Sequence, residues 1–294
     1  MSDRVQKLLA SFGLGSRREI EGWISAGRIS VNGVVAKLGD SADITDKITV
    51  DGVPVRLQEA SQHYKSRVLA YYKPEGEVSS RSDPQRRPTI FRSLPRLRSG
   101  RWIAVGRLDI NTSGLILLTN DGELAHKLMH PSSEIEREYA VRILGEVDNT
   151  MLKNLREGVT LDDGVAHFER IVEAGGQGAN HWYHVILKEG RNREVRRLWE
   201  SQGVTVSRLM RVRVEGILLR KGLKPGSFDE LSSEDVAALR DSVGLKSEPS
   251  GADSAQPRSV KRQLKPTAKR KNVRSHSKAV PGKAKKAKPW QRKD

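Results

Sequence analysis

The stretch Gly106-Arg107-Leu108-Asp109-Ile110-Asn111-Thr112-Ser113-Gly114, continued by Leu115-Ile116-Leu117-Leu118-Thr119 and Asn120-Asp121-Gly122, organises the reading of this chain. A short apolar run bounded by polar, glycine-closed segments predicts a buried strand, with Asn120-Asp121-Gly122 as the turn that ends it. Immediately before the strand stands a single carboxylate, Asp109, two residues after Arg107 and ahead of a polar turn closed by Gly114. A lone acid presented this way suits a nucleophile or a charge-stabilising group better than a surface ion pair.

Working outward, residues 67–245 alternate strand and helix patterns at no fixed period, which predicts an α+β body with a mixed, mainly antiparallel sheet and flanking helices. Strands are expected at 67–72, 104–105 with 115–119, 138–143, 181–188 and 206–214. Helices are expected at 122–129, 148–157, 193–202 and 233–241, the last capped by Ser232 with acids in its first turn. Residues 1–60 read as a separate module. Val5, Leu8, Leu9 and Phe12 have helical spacing, Ser16 is placed to cap a second helix, and Asn32-Gly33 is a hairpin signal. Residues 61–66 are polar and read as a linker.

The net charge of +17 is concentrated at the C-terminus. Residues 246–294 hold 16 Lys/Arg against 3 Asp/Glu, whereas residues 1–245 hold 37 against 33. A Lys/Arg/Ser/Ala/Pro-rich tail without apolar periodicity is expected to be disordered and attracted to polyanions, nucleic acid before membrane. Its contribution to binding should weaken with salt as counterions are released. With no cysteine, disulfides and thiolate chemistry are excluded. The N-terminus lacks the apolar stretch of a signal peptide, and no apolar run approaches the roughly 20 residues of a membrane helix. A cytoplasmic protein with no membrane partner is the expectation.

Further candidates for chemistry lie in four places. Lys73 belongs to the turn Tyr72-Lys73-Pro74-Glu75-Gly76, and Tyr139 lies on a strand. Arg191, Arg193, Arg196 and Arg197 crowd the strand-to-helix segment 188–199, and Leu209, Arg211 and Arg213 share the strand 206–214. Strand alternation puts Arg211 and Arg213 on one face, opposite Val212 and Val214. His126 and His130 have helical spacing without a third ligand, so no metal is expected. Gly175-Gly176-Gln177-Gly178 reads as a flexible loop, not a phosphate cradle.

The order of Lys73-Pro74, Asp109, Tyr139, Arg196 and Leu209 resembles the motif series of pseudouridine synthases of the small-subunit/large-subunit ribosomal RNA branch. Residues 16–18 and 27–33 of the N-terminal module resemble an S4-type RNA-binding domain. The resemblance implies a cofactor-free isomerisation of uridine in RNA, without metal. In it Asp109 is the nucleophile, Arg196 its cationic partner with Arg191 as the second candidate, and Tyr139 the base-packing residue that takes the C5 proton. It further implies that Leu209 lines the uracil pocket and Lys73 packs beneath the site. Arg107, next to Asp109, is placed to wedge into the stack the target leaves, with a phosphate contact as its rival role. Arg17, Arg18, Arg28, Arg211 and Arg213 are then RNA contacts. An S4-like module with a long basic tail most resembles the large-subunit ribosomal RNA enzyme of this branch, acting on one uridine of a stem-loop near the peptidyl transferase centre in RNA free or in a pre-ribosomal particle, with a small-subunit or other large-subunit uridine as the alternative. A monomer is expected. Two rival readings are a non-catalytic RNA-binding or ribosome-assembly factor and a hydrolase or phosphotransferase built on Asp109 with Asp121 and Glu123.

Overall fold

The structure, a computed structural model, describes residues 2–62, 65–178 and 180–246. The basic tail beyond Lys246 lies outside the described residues. The N-terminal module opens with helices α1 (Val5–Ser11) and α2 (Arg17–Ser25). Ser16 caps α2 in a full capping box: its side chain accepts from Glu19 N, and the Glu19 carboxylate accepts from Ser16 N at 2.6 Å. Strands β1 (Ile29–Val31), β2 (Val34–Val35), β3 (Ile48–Val50) and β4 (Val53–Val55) follow in the sheet order β2-β1-β3-β4. Two of the hairpin turns, Asn32-Gly33 and Asp51-Gly52, have both central residues at positive φ, as the twist of a two-residue hairpin requires. Val5, Leu9, Ile20, Ile24, Ile29 and Ile48 fill the core of this module.

Helix α3 (Leu57–Gln62) extends over the first two residues of the stretch 61–66 expected to be a polar linker. Leu57, 2% exposed, anchors it in the N-terminal core, a single apolar contact that polar composition hides.

The second region is built on one long sheet. Its main strands are β5 (Val68–Lys73), β6 (Ser113–Thr119), β7 (Arg137–Leu144), β8 (Arg170–Gln177), β9 (Asn180–Leu187), β10 (Thr205–Val214) and β11 (Phe228–Glu230). They lie in the order β8-β9-β7-β10-β6-β5-β11. All pairings along this path are antiparallel except β10 with β6, which is parallel. Helices α4 (Gly122–Met129), α5 (Asn149–Glu157), α6 (Glu194–Glu200) and α7 (Ser233–Ser242) flank the sheet. The expected α+β class and mainly antiparallel sheet are what the chain forms.

The central strand β6 explains the continuous apolar run. Leu115 and Leu117 enter one core with α4 and α7, while Ile116 and Leu118 enter another on the opposite face with Tyr71, Ile90 and Leu108. A strand covered on both faces has no reason to alternate. One expectation fails: Gly175 to Gln177 belong to β8 rather than to a free loop, with a register irregularity between Glu173 and Gly176. Bulges tolerate glycine, so a Gly-rich stretch does not by itself end a strand.

Candidate active site

Asp109 lies on the loop between Gly106 and the start of β6, and this loop is held from several sides. Thr112 N donates to Asp109 O at 3.1 Å to close the turn, and Gly76 N donates to Ile110 O at 2.9 Å. Ser79 Oγ accepts from Leu108 N and donates to Leu108 O. From below, the Lys73 ammonium donates to Thr112 O at 2.8 Å and Pro74 O at 3.0 Å. From the side, Arg196 Nη2 donates to Asn111 O at 3.0 Å while its Nη1 donates to Val206 O at 2.9 Å. Leu108, 7% exposed, plugs the loop into the core. The backbone after Asp109 is thus fixed by two buried cations and the backbone before it by the Ser79 hydroxyl, which limits where its carboxylate can swing.

Those cations also carry the electrostatics. Lys73 has no exposed surface. Burial pulls its pKa down to about 8, against the opposing pull of Glu77, Asp109 and Glu75. Burial likewise holds Arg196 below the usual arginine range, helped by Arg193 and opposed by Asp109, Glu200 and Glu75. Asp109 is half-buried and interacts with both cations through space rather than by direct contact. Among the described residues it makes no ion pair within 4.0 Å. Arg196 therefore grips the loop beside Asp109 instead of pairing with the carboxylate itself.

Tyr139 joins the two halves of the site. It packs against the cluster containing Leu108 and also against the cluster containing Leu209, Val195 and Trp199. In register it faces Arg211 of β10 and Val185 of β9, while Leu209 faces Val141 two residues along. Residues directly paired across strands lie on one face of a sheet, so Tyr139, Val141, Leu209 and Arg211 share theirs. Leu209 is 4% exposed, and Arg107 is exposed beside Asp109.

Three expected contacts are corrected by these surroundings. Arg191 does not approach Asp109: it pairs with Glu189 at 2.5 Å and donates to Val165 O at 3.0 Å, so it braces the hairpin beside α6. Arg211 is 3% exposed and donates to Leu115 O at 2.7 Å, which takes it out of reach of an RNA backbone. Arg213 is matched to Glu138 and Glu136, both at 2.9 Å. The two arginines do not share a face, because a register shift drops Val212 from the pairing with β7. Arg211 then pairs with Tyr139 and Arg213 with its neighbour Glu138. In the N-terminal module Arg17 and Arg18 are exposed at the start of α2, and Arg28 is drawn into a 2.5 Å ion pair with Asp51.

Asp121, proposed as a partner acid under the hydrolase reading, is at the far end of β6. It caps α4 through Glu123 N and Leu124 N and is paired to Arg240, so its role is structural. Sequence reasoning passed over Gly114, which brings β6 against the backbone of Arg211, and Ser79, which clamps Leu108. Only the positive φ needed at the first of these (φ +109) has a sequence signal, the glycine itself.

Comparison with known proteins finds a match within each region. A family model described as RNA pseudouridylate synthase matches residues 67–201, and an S4 domain model matches residues 3–48. A protein of Escherichia coli O6:H1 named ribosomal large subunit pseudouridine synthase B is 53% identical over 284 residues, covering 96% of this chain and 97% of that one. Its namesake from Haemophilus influenzae is 57% identical over 248 residues, covering 84% of this chain and 69% of the relative. A crystal structure of a pseudouridylate synthase shares the fold, with a TM-score of 0.56 at 24% identity over 80% of this chain and 99% of that chain. With near-complete coverage at this identity, and an S4 module ahead of the catalytic sheet, the chain belongs to the RNA pseudouridine synthase family and is an enzyme of that kind.

Proposed function

We propose that this enzyme isomerises one uridine of large-subunit (23S) ribosomal RNA, in a stem-loop near the peptidyl transferase centre, with Asp109 as the nucleophile. The substrate assignment rests on the relatives named for the large ribosomal subunit. The observation that carries the chemistry is the anchored loop. A single carboxylate stands on a loop held by Lys73 and Arg196, and Tyr139 packs against the cluster that contains its neighbour Leu108.

In this reading the target nucleotide leaves its stack, at a cost of a few kcal/mol, and Arg107 fills the space it vacates. Asp109 attacks C1′ as the N1–C1′ bond breaks, and the bonding pair leaves with uracil. Lys73 and Arg196, through Thr112 O and Asn111 O, hold the loop that presents the carboxylate for this attack. The detached uracil turns against Tyr139 and the Leu209 side of the pocket, whose apolar walls keep it from diffusing away. C5 then bonds to C1′, Asp109 leaves, and the C5 proton passes to Tyr139 directly or through water before N1 is reprotonated. Atoms balance without an oxidant or co-reactant. Arg17, Arg18 and Arg28 meet the RNA through the S4 module, and the enzyme works as a cytoplasmic monomer.

Carbodiimide marking followed by primer extension on separate large-subunit and small-subunit RNA transcripts tests this. One new stop on the large-subunit transcript is expected. A stop only on the small-subunit transcript overturns the substrate assignment, and no stop on either overturns the reaction.

A further inference from the structure

Between Glu77 and Trp102 the chain leaves the sheet for an excursion that none of the roles above uses. Residues 81–101 contain seven arginines and one acid, Asp83. That acid is consumed locally by Arg87, at 2.6 Å. The ends of the excursion are fixed. At its start, Ser79 is clamped to Leu108, the residue before Asp109. Arg81, two residues on, is therefore within about 7 Å of chain from that clamp. At its end, Gly100 N donates to Phe12 O at 3.2 Å, and Gly13 stacks so closely on Gly100 that a side chain on Gly13 would strike its backbone. The excursion thus runs from the catalytic loop to the S4 module, and Arg101 emerges beside the start of α2.

Two depressions meet at Arg101. One, about 330 Å³, is lined by Arg17, Arg101, Lys7 and Arg240, with Asp3, Asp121 and Glu123 as its acids. Asp3 and Asp121 are already paired, to Lys7 and Arg240. The other, about 320 Å³, is lined by Arg81, Arg96 and Arg101 together with Phe91 and Trp102. Arg81 stacks over the Phe91 ring at 4.5 Å and donates to Trp102 O. Arg101 Nε is buried without a partner among the described residues. Burial holds Arg81 and Arg101 below the usual arginine range. Arg101 opposes Arg81, Arg17 opposes Arg101, and Glu19 is the acid that offsets them. Yet the Glu19 carboxylate is committed to the capping box of α2. Guanidiniums that outnumber the acids beside them are the composition of a surface that tracks a nucleic-acid backbone.

We propose that Arg17, Arg81 and Arg101 form a phosphate-binding seam between the S4 module and the catalytic region, which holds the RNA strand running from the Asp109 loop towards α2. The inference rests on the reading of the substrate as RNA. It assigns Arg81 and Arg101, rather than Arg211 or Arg213, as the backbone contacts outside the S4 module. An acidic protein segment is the other polyanion that fits guanidiniums. The docked ends of the excursion favour RNA, because a strand leaving the Asp109 loop for the S4 module passes along the chain held between Leu108 and Phe12.

The test measures affinity of the full chain for a large-subunit stem-loop across a salt series, alongside turnover. Arg101→Gln should weaken binding several-fold and reduce the slope of log K against log salt by about 0.7–0.9, the value of one lost phosphate contact. Arg101→Lys should keep the slope, and Arg170→Gln, on exposed β8, should change neither. The turnover defect should appear in KM rather than kcat. Arg17→Gln, exposed at the start of α2, gives a second reading should Arg101→Gln melt early. Unchanged affinity and slope in both variants overturns the seam, as does competition by polyglutamate with no effect of the variants on RNA. The two readings fail separately. If the wild type binds the stem-loop through these arginines without isomerising it, the seam stands and the proposed reaction falls. If turnover is normal but the variants bind as the wild type does, the reverse holds.

Discussion

Gly114→Ala adds a single methyl group where β6 lies against β10, and the structure sets the size of its effect. The new Cβ would stand 2.6 Å from Arg211 N and 2.9 Å from Arg211 C, and closer still to the Arg211 carbonyl oxygen. All three atoms are backbone, so no rotamer change relieves the clash. The residue also sits at φ +109, a conformation that costs an L-residue about 1–2 kcal/mol. Overpacking in a rigid surrounding adds about 1–3 kcal/mol. Together these predict a destabilisation of about 2–5 kcal/mol, or a fall in Tm of about 4–20 °C for a region of this size. Because β6 leads directly from the Asp109 loop, kcat should fall as well, even at temperatures where the variant remains folded. Gly106→Ala is the comparison: at φ +80 with nothing within 4 Å of its Cβ, it carries only the conformational cost. Thermal melting by circular dichroism and single-turnover kinetics read both quantities. A Gly114→Ala protein with the melting temperature and kcat of the wild type would refute the close approach of β6 to β10.

The remaining predictions concern charge. Lys73 is protonated below about 8, and its buried ammonium braces the catalytic loop. Activity should therefore decline as pH rises through about 8, and Lys73→Met should be poorly active without that alkaline limb. Stability moves the other way. The unfolded chain keeps its proton up to about 10.5, so the cost of the buried charge is complete below about 8 and is relieved between the two values. A pH series of melting temperatures against the Lys73→Met variant isolates this contribution. Arg240→Met removes the cation from the 5%-exposed Asp121, to which Ser66 Oγ, Glu123 N and Leu124 N still donate, and should destabilise by up to about 3 kcal/mol, read by urea unfolding. Deleting residues 246–294 should lower RNA affinity and flatten its salt dependence while leaving turnover at saturating RNA. Loss of turnover under those conditions would put the tail in the site.

Much of this architecture was legible because its signals are local. The helix over Gly122–Met129 begins at its N-cap Asp121, and the hairpin at Asn32-Gly33 follows from φ preferences alone. The buried run Leu115–Leu118 announces a strand covered on both faces. What escaped is non-local. Whether Arg211 points inward depends on a bulge created by β7, a strand some seventy residues earlier, and no periodicity within 206–214 encodes it. The choice between Arg196 and Arg191 turned on where α6 begins. Arg193 takes a left-handed conformation ahead of Glu194, which puts Arg196 inside with Val195 and leaves Arg191 to its own hairpin. The arginine excursion has no motif, and only its two docked ends give it a direction.

The most direct test is tritium release from a [5-³H]uridine-labelled large-subunit RNA fragment, with wild type and Asp109→Asn compared at equal RNA occupancy. The account predicts release by the wild type, none by Asp109→Asn, and RNA affinities within a few-fold of each other. Release by Asp109→Asn at the wild-type rate would contradict it, because the nucleophile would then have to be another group.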